Sequence, residues 1–174
     1  FFQSVPLVSD TYSLSNGYIF TSYHEMLNEM IGSFSIYTKM INSMNDEDVR
    51  ISERLSLPGN RLRGFEVGKI GPIDTGGDYI GGNYATTLNL STTLPSILPS
   101  LQNIDFKLFF DAANVWGVDY SDTVNNSNAI RSAAGVGVDW FTPIGPLSFS
   151  LSEAITKKAS DKTESFRFNL GTTF

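Results

Sequence analysis

From residue 84 onward the chain alternates apolar and polar side chains with a period of two. Tyr84, Thr86, Leu88, Leu90, Thr92 and Leu94 fall on one face and Ala85, Thr87, Asn89, Ser91 and Thr93 on the other, ahead of Pro95 and Pro99. Residues 104–116 repeat the design, with Ile104, Phe106, Leu108, Phe110, Ala112 and Trp116 against Asp105, Lys107, Phe109, Asp111 and Ala113. In 130–140, Ile130, Ala134, Val136, Val138 and Trp140 oppose Arg131, Ala133, Gly135, Gly137 and Asp139. A tight turn at 142–146 leads to Leu147, Phe149 and Leu151 against Ser148, Ser150 and Ser152, and later Phe166, Phe168 and Leu170 oppose Ser165, Arg167 and Asn169. Successive side chains of a strand point to opposite faces, so this spacing predicts strands and not helices.

The first part of the chain is less regular. Residues 2–12 read as a strand closed by a turn at Ser15-Asn16-Gly17. Residues 18–27 and 31–41 read as a hairpin, because the Phe34/Ile36/Thr38/Met40 alternation outweighs a helix through 24–31 that propensity alone would allow. Residues 42–48 form a polar tip, and 119–128 a polar loop. Between them, 49–82 is a long loop without periodicity, rich in glycine (Gly59, Gly64, Gly68, Gly71, Gly76, Gly77, Gly81 and Gly82) and carrying Leu62-Arg63-Gly64-Phe65. A loop this long inside a compact β chain is more often functional than incidental.

Alternation of this kind has two physical solutions. A soluble antiparallel sandwich packs one face of each sheet, and a membrane barrel turns its apolar face to lipid and its polar face inward. The strands match the roughly 9–11 residues a tilted strand needs to cross a bilayer, and long connections alternate with short ones, as in barrels. Lipid offers no hydrogen bonds, so such a sheet must pair its backbone around a closed ring.

Composition narrows the choice little but excludes several functions. No run reaches the roughly 18–20 apolar residues of a membrane helix. The 174 residues begin Phe1-Phe2-Gln3, inside an apolar alternation and without Met, and read as one domain cut from a longer polypeptide. Twelve basic residues against eighteen acidic ones, net charge −6 and without a basic stripe, argue against a nucleic-acid partner. The absence of Cys removes disulfides, thiolate zinc sites and thiol catalysis. Thirteen Phe, seven Tyr and two Trp suit aromatic girdles at a lipid interface as well as a sandwich core.

Several motifs together carry a resemblance. Residues 131–150, with Trp140-Phe141-Thr142-Pro143-Ile144-Gly145-Pro146, and then Phe166-Arg167-Phe168-Asn169-Leu170-Gly171-Thr172-Thr173-Phe174, resemble the carboxyl end of the central barrel subunit of the bacterial barrel-assembly machinery, the BamA type of the surface-antigen family. Arg61-Leu62-Arg63-Gly64-Phe65, Ile70-Gly71-Pro72, Gly81-Gly82-Asn83 and Phe110-Asp111-Ala112-Ala113-Asn114-Val115-Trp116 resemble that family's other motifs, in its order. The match covers about the last two-thirds of the chain.

The resemblance implies an all-β chain: the C-terminal half, about eight strands, of a sixteen-stranded antiparallel transmembrane β-barrel in the bacterial outer membrane. Residues 1–174 would then be part of the barrel domain of an outer-membrane assembly factor, with 49–82 folded into the lumen and 164–174 as the closing strand. It further implies insertion of β-barrel proteins through a lateral seam. The partners would be membrane lipid, unfolded outer-membrane barrel clients, assembly lipoproteins and periplasmic chaperones, with no small-molecule substrate and no cofactor.

For site residues it implies an arginine loop, Arg63, Gly64 and Phe65, contacting the inward carboxylate of Asp111, and a seam and sorting signal at Phe166, Phe168, Leu170, Gly171 and Phe174. Two positions depart from the family: Ala113 where Gly is usual, and Asn89 where an inward acid is frequent. From the second we expect a weaker arginine contact, tightened by Asn89→Glu. A translocating pore of the same superfamily, of the two-partner-secretion or mitochondrial sorting-and-assembly type, and a soluble β-sandwich binding module are the alternatives.

Enzyme chemistry finds little support. His24 is the only histidine and has no placed Ser or Asp partner, so a girdle or lumen position is expected for it. Asp119, Asp122, Glu153, Asp161 and Glu164 fall in or beside loops and read as solvated tips. Asp74 and Asp78 lack the alternating ligands of a calcium loop, and no metal site is expected.

Overall fold

The computed structural model describes residues 1–4, 13–26, 30–44, 47–94, 103–126, 128–143 and 145–171. Its main strands are β1 (Phe2–Ser4), β2 (Ser13–Glu25), β3 (Ile31–Ser43), β5 (Tyr84–Thr93), β6 (Ile104–Trp116), β8 (Arg131–Thr142), β9 (Gly145–Thr156) and β10 (Phe166–Leu170). They form one sheet in the order β1-β2-β3-β5-β6-β8-β9-β10, antiparallel at every step. Two short strands, β4 (Ile73–Asp74) and β7 (Thr123–Asn125), pair separately. The strand ends joined by 44–83, 117–130 and 157–165 lie at one end of the sheet, and those joining β2 to β3, β5 to β6 and β8 to β9 at the other.

The register keeps the two faces distinct across the sheet. Ser35, Asn89, Asp111 and Ala133 lie in one cross-strand row, and Phe34, Leu90, Phe110 and Ala134 in the next, on the opposite face. On the outer face Leu108, Val136, Leu151 and Phe168 are 44–57% exposed, whereas Thr87, Asp111, Ala133 and Ser148 on the inner face are fully buried. A soluble protein shows neither open rows of large apolar side chains nor a buried polar face, so this is the informative pattern. Tyr84 and Trp116 stack on the outer face near the long connections, with centroids 5.7 Å apart, and Trp140 lies toward the other end.

The predicted hairpin of β2 and β3 forms, but the turn expected at Ser15-Asn16-Gly17 does not. These residues lie within β2, paired on one side with Phe2, Gln3 and Ser4 and on the other with Lys39, Met40 and Ile41. Gly17 serves a close approach: a Cβ there would stand 2.0 Å from the Phe2 ring. Residues 5–12, most of the strand expected over 2–12, and residues 27–29 lie outside the described residues.

The long loop is more ordered than its aperiodic sequence suggests. It contains a 3-10 turn (Ile51–Glu53), a bridge between Leu55 and Gly82, and β4, which pairs with β7 from the predicted polar loop 119–128. Its apolar residues Val49, Leu55, Leu57, Leu62, Phe65 and Ile70 pack on Ile41, Ala85, Ala113, Val115 and Ala133 of the inner face. The buried cluster therefore lies between loop and wall. The small residues on the wall leave room for the loop's larger ones, and Ala113 is part of that fit.

Candidate functional site

The segment around Arg63 is laced across the inner face, meeting one strand after another. Arg61 donates to Ser35 Oγ (3.3 Å) and lies over the Tyr37 ring on β3 (5.1 Å), while its carbonyl accepts from Asn89 Nδ2 of β5 (2.9 Å). Arg63 reaches Asp111 on β6. A Cβ on Gly64 would stand 2.7 Å from Ala133 Cβ on β8 and 3.5 Å from Ser152 Oγ on β9. The Phe65 carbonyl accepts from Arg167 of β10. Neighbouring strands lie about 4.8 Å apart, so a short segment running across them meets a new strand every residue or two.

Glycine at 64 is required twice over. The backbone there has φ of +86°, and Ala133 leaves no space for a side chain. The turn it permits lets both flanking side chains pack on the wall, Phe65 at 1% and Arg63 at 4% exposure.

The Arg63 guanidinium forms a fork on Asp111, Nε to Oδ2 at 2.7 Å and Nη2 to Oδ1 at 2.8 Å. The Arg63 backbone N–H also donates to Oδ2 (3.1 Å), and Asn89 Nδ2 donates to Oδ1 (2.8 Å). Each carboxylate oxygen therefore accepts two bonds, which matches the acceptor capacity of an ionised Asp. The guanidinium also lies over the Phe109 ring, 3.4 Å from its centroid. Stacking on an aromatic face and a bidentate carboxylate use the planar shape of arginine in a way lysine cannot.

Asn89 has a different place from that expected of a missing acid. Its amide donates to Asp111 and to the Arg61 carbonyl, and its own Oδ1 accepts from Thr87 Oγ1 (3.2 Å). It thus completes the coordination of the single carboxylate. Phe109 was not singled out by the sequence, although it is an aromatic on an otherwise polar face, opposite Gly135, whose bare backbone gives its ring a seat.

Further ionic contacts fasten the loop and its neighbours. Arg54 bonds Asp119 Oδ1 (2.9 Å) and the Val49 carbonyl (3.0 Å), closing the base of the loop. Arg131 forms a fork on Asp161 (2.9 and 3.0 Å) with both side chains fully buried. Arg167 bonds Glu164 (2.6 Å), whose side chain is 39% exposed. The expectation of a solvated tip is therefore corrected for Asp161, whose side chain is fully buried on Arg131, whereas Asp119 and Glu164 keep contact with solvent while each pairs with an arginine. Asp122 and Glu153 are exposed. Lys107 pairs with Asp139, which also accepts from Ser148 Oγ (2.6 Å).

The remaining sequence candidates are dispersed. Phe166, Phe168 and Leu170 are exposed on the outer face of β10; Gly171 follows with φ of +82° and donates to the Pro146 carbonyl, and Phe174 lies outside the described residues. Of the expected closing strand 164–174, the structure forms Phe166–Leu170 as strand. His24 is exposed on the outer face opposite Gly32. No group of three metal-ligating side chains occurs among the described residues. Tyr79, in the loop, donates to the Ser160 carbonyl, and burial, reinforced by Asp161 and Glu66, raises its pKa above the usual tyrosine value.

A sheet that exposes its apolar face and buries charges on the other has the solvent preferences of a β-barrel in a bilayer, with a loop folded against its inner wall. The chain belongs to the Omp85 superfamily, whose domain description matches residues 2–174. It is 31% identical to the outer membrane protein assembly factor BamA of Neisseria meningitidis serogroup B, over 65% of this chain and 17% of that protein. It is 29% identical to the BamA of Neorickettsia risticii, over 74% of this chain and again 17% of the relative. The crystal structure of BamA from Haemophilus ducreyi lacking POTRA domains 1–3 superimposes with a TM-score of 0.77 and 29% identity, covering 91% of this chain and 34% of that one. The chain thus spans about a sixth of the curated relatives it matches, and corresponds to the C-terminal portion of an outer-membrane barrel.

Proposed function

We propose that this chain is the loop-bearing part of an outer-membrane assembly factor that folds and inserts β-barrel proteins through a lateral seam. The observation that carries the reading is the Arg63-Gly64-Phe65 segment docked on Asp111 inside an Omp85 wall. Such a crosspiece braces the strands it meets against one another, leaving the seam as the place where the barrel can part. Client strands then add to an exposed edge through their unpaired backbone groups, a reaction that needs no catalytic side chain, nucleotide or cofactor.

In this reading β10, with Phe166, Phe168, Leu170, Gly171 and the terminal Phe174, forms the movable side of the seam and carries the sorting signal. The outer face contacts membrane lipid; clients, assembly lipoproteins and periplasmic chaperones are the protein partners. The test is a disulfide joining β10 to the first strand of the full-length barrel, assayed by insertion of a barrel client into liposomes. Insertion should be lost when the bond forms and return on reduction. Undiminished insertion by the fully cross-linked barrel would remove the seam from the mechanism.

A further inference from the structure

We propose that Arg167, held by Glu164, is a positioning residue that couples docking of the loop at 59–66 to the pairing of β10 in the sheet. The consequence for insertion rests on the assignment of β10 to the seam, whereas the coupling is a property of the barrel alone. Arg167 is the second residue of β10, opposite Ser150 of β9, and only 8% of its surface is exposed. Its Nη1 donates to the Gly59 carbonyl and its Nη2 to the Phe65 carbonyl, while Nε (2.9 Å) and Nη2 (2.6 Å) donate to Glu164 Oε2. Gly59 gives the close approach: a Cβ there would stand 3.0 Å from Nη1.

The two carbonyls come from opposite ends of the docked segment, and one rigid guanidinium meets both only while that segment keeps its shape. Glu164 ties the same parts together a second way, since its backbone N–H donates to the Gly64 carbonyl (3.1 Å). Immediately before it, Thr163 bridges Phe65, and Lys162 exchanges backbone bonds with Glu66 and Lys69 (3.0 and 3.1 Å). Residues 162–167 therefore form a strip along the loop that continues without a break into β10.

Asp111 cannot serve this purpose. It sits on β6, which is paired on both sides by β5 and β8, so the Arg63 contact fixes the loop to the middle of the wall. Arg167 lies on β10, whose neighbour in the described sheet is β9. Peeling or sliding of β10 would carry the guanidinium away from both carbonyls, and release of the loop would in turn remove acceptors that hold β10 in register. Coupling between two such equilibria is reciprocal.

Hydrogen–deuterium exchange on the full-length barrel in lipid nanodiscs tests this without any client. Arg167→Gln keeps a polar side chain too short and differently shaped to reach both carbonyls. It should speed exchange in 59–66 and in 166–170 together, by about tenfold, as expected for loss of hydrogen bonds to a charged donor, and leave 104–116 unchanged. Glu164→Gln, which retains the guanidinium and guards against a misfolded Arg167 variant, should show the same paired change at smaller size. Arg63→Ala should speed exchange of 166–170 in the wild-type background and have less effect on it in Arg167→Gln.

Faster exchange in the loop with β10 unaltered in both Arg167→Gln and Glu164→Gln would overturn the proposal. Failure of the liposome assay with the coupling intact would instead count against the seam function alone.

Discussion

Arg63→Ala and Asp111→Ala remove opposite ends of one buried contact, and their combination measures it. Arg63 is 4% exposed and Asp111 fully buried, so either deletion strands a charge where water does not reach it. Breaking a buried pair from one side costs about 3–5 kcal/mol. Without Arg63 the carboxylate loses the fork and retains at most the backbone N–H of residue 63 and Asn89 Nδ2. Without Asp111 the guanidinium keeps its stacking on Phe109, while Asn89 loses an acceptor. The double mutant should therefore fall short of the summed costs by roughly 0.5–3 kcal/mol.

The loss should be local, because the loop can leave the wall while the strands stay paired. Protease protection of 59–66 in the full-length protein reads it directly. Arg63→Lys is the informative companion, since it keeps the charge and loses both the fork and the flat stacking surface; its loop should be nearly as labile as that of Arg63→Ala. Additivity of the two alanine changes within about 0.3–0.5 kcal/mol, or a lysine variant as protected as wild type, would refute the assignment.

Two further outcomes follow from the same geometry. Asn89→Glu should loosen the loop, reversing the expectation drawn from the missing acid: a carboxylate cannot donate to Asp111 and stands as a like charge beside it, so increased protection in the same protease assay would show that Asn89 does not act as the donor. Val136→Arg, on the open outer face, should cost roughly 2–4 kcal/mol near the bilayer midplane, and Thr21→Arg, exposed on the inner face, much less; equal costs in reversible folding into liposomes would contradict the assignment of faces.

The strands and their faces were legible because a period of two states the same thing many times over. Phe106, Leu108, Val136, Val138, Phe149, Leu151, Phe168 and Leu170 share the outer face, and Asn89, Lys107, Asp111, Asp139, Ser150 and Asn169 the inner one. The Ser15-Asn16-Gly17 stretch misled because turn propensity is local, whereas β1 and β3 claim its backbone from both sides. Asp161 was illegible for a related reason. Sequence shows an acid in a loop, and only the fold shows that this loop bends over Arg131. The inner face was expected to be wet, and Ala85, Ala113 and Ala133 are apolar there because another part of the chain covers them, a fact that alternation cannot express.

The division of labour between these apolar residues and the charges follows from what each interaction can specify. Leu55, Leu57, Leu62 and Phe65 gain free energy by leaving water, but that gain is non-directional and would be much the same if the loop slid by one strand along a wall of alanines. A fork of two bonds to one carboxylate is directional, and it is satisfied at one position only. A shift of the loop that kept the apolar contact would strand the buried Asp111 and Arg63 and take the Gly59 and Phe65 carbonyls away from Arg167. Burial thus holds the glycine-rich segment against the wall, and the arginines fix where along the wall it lies.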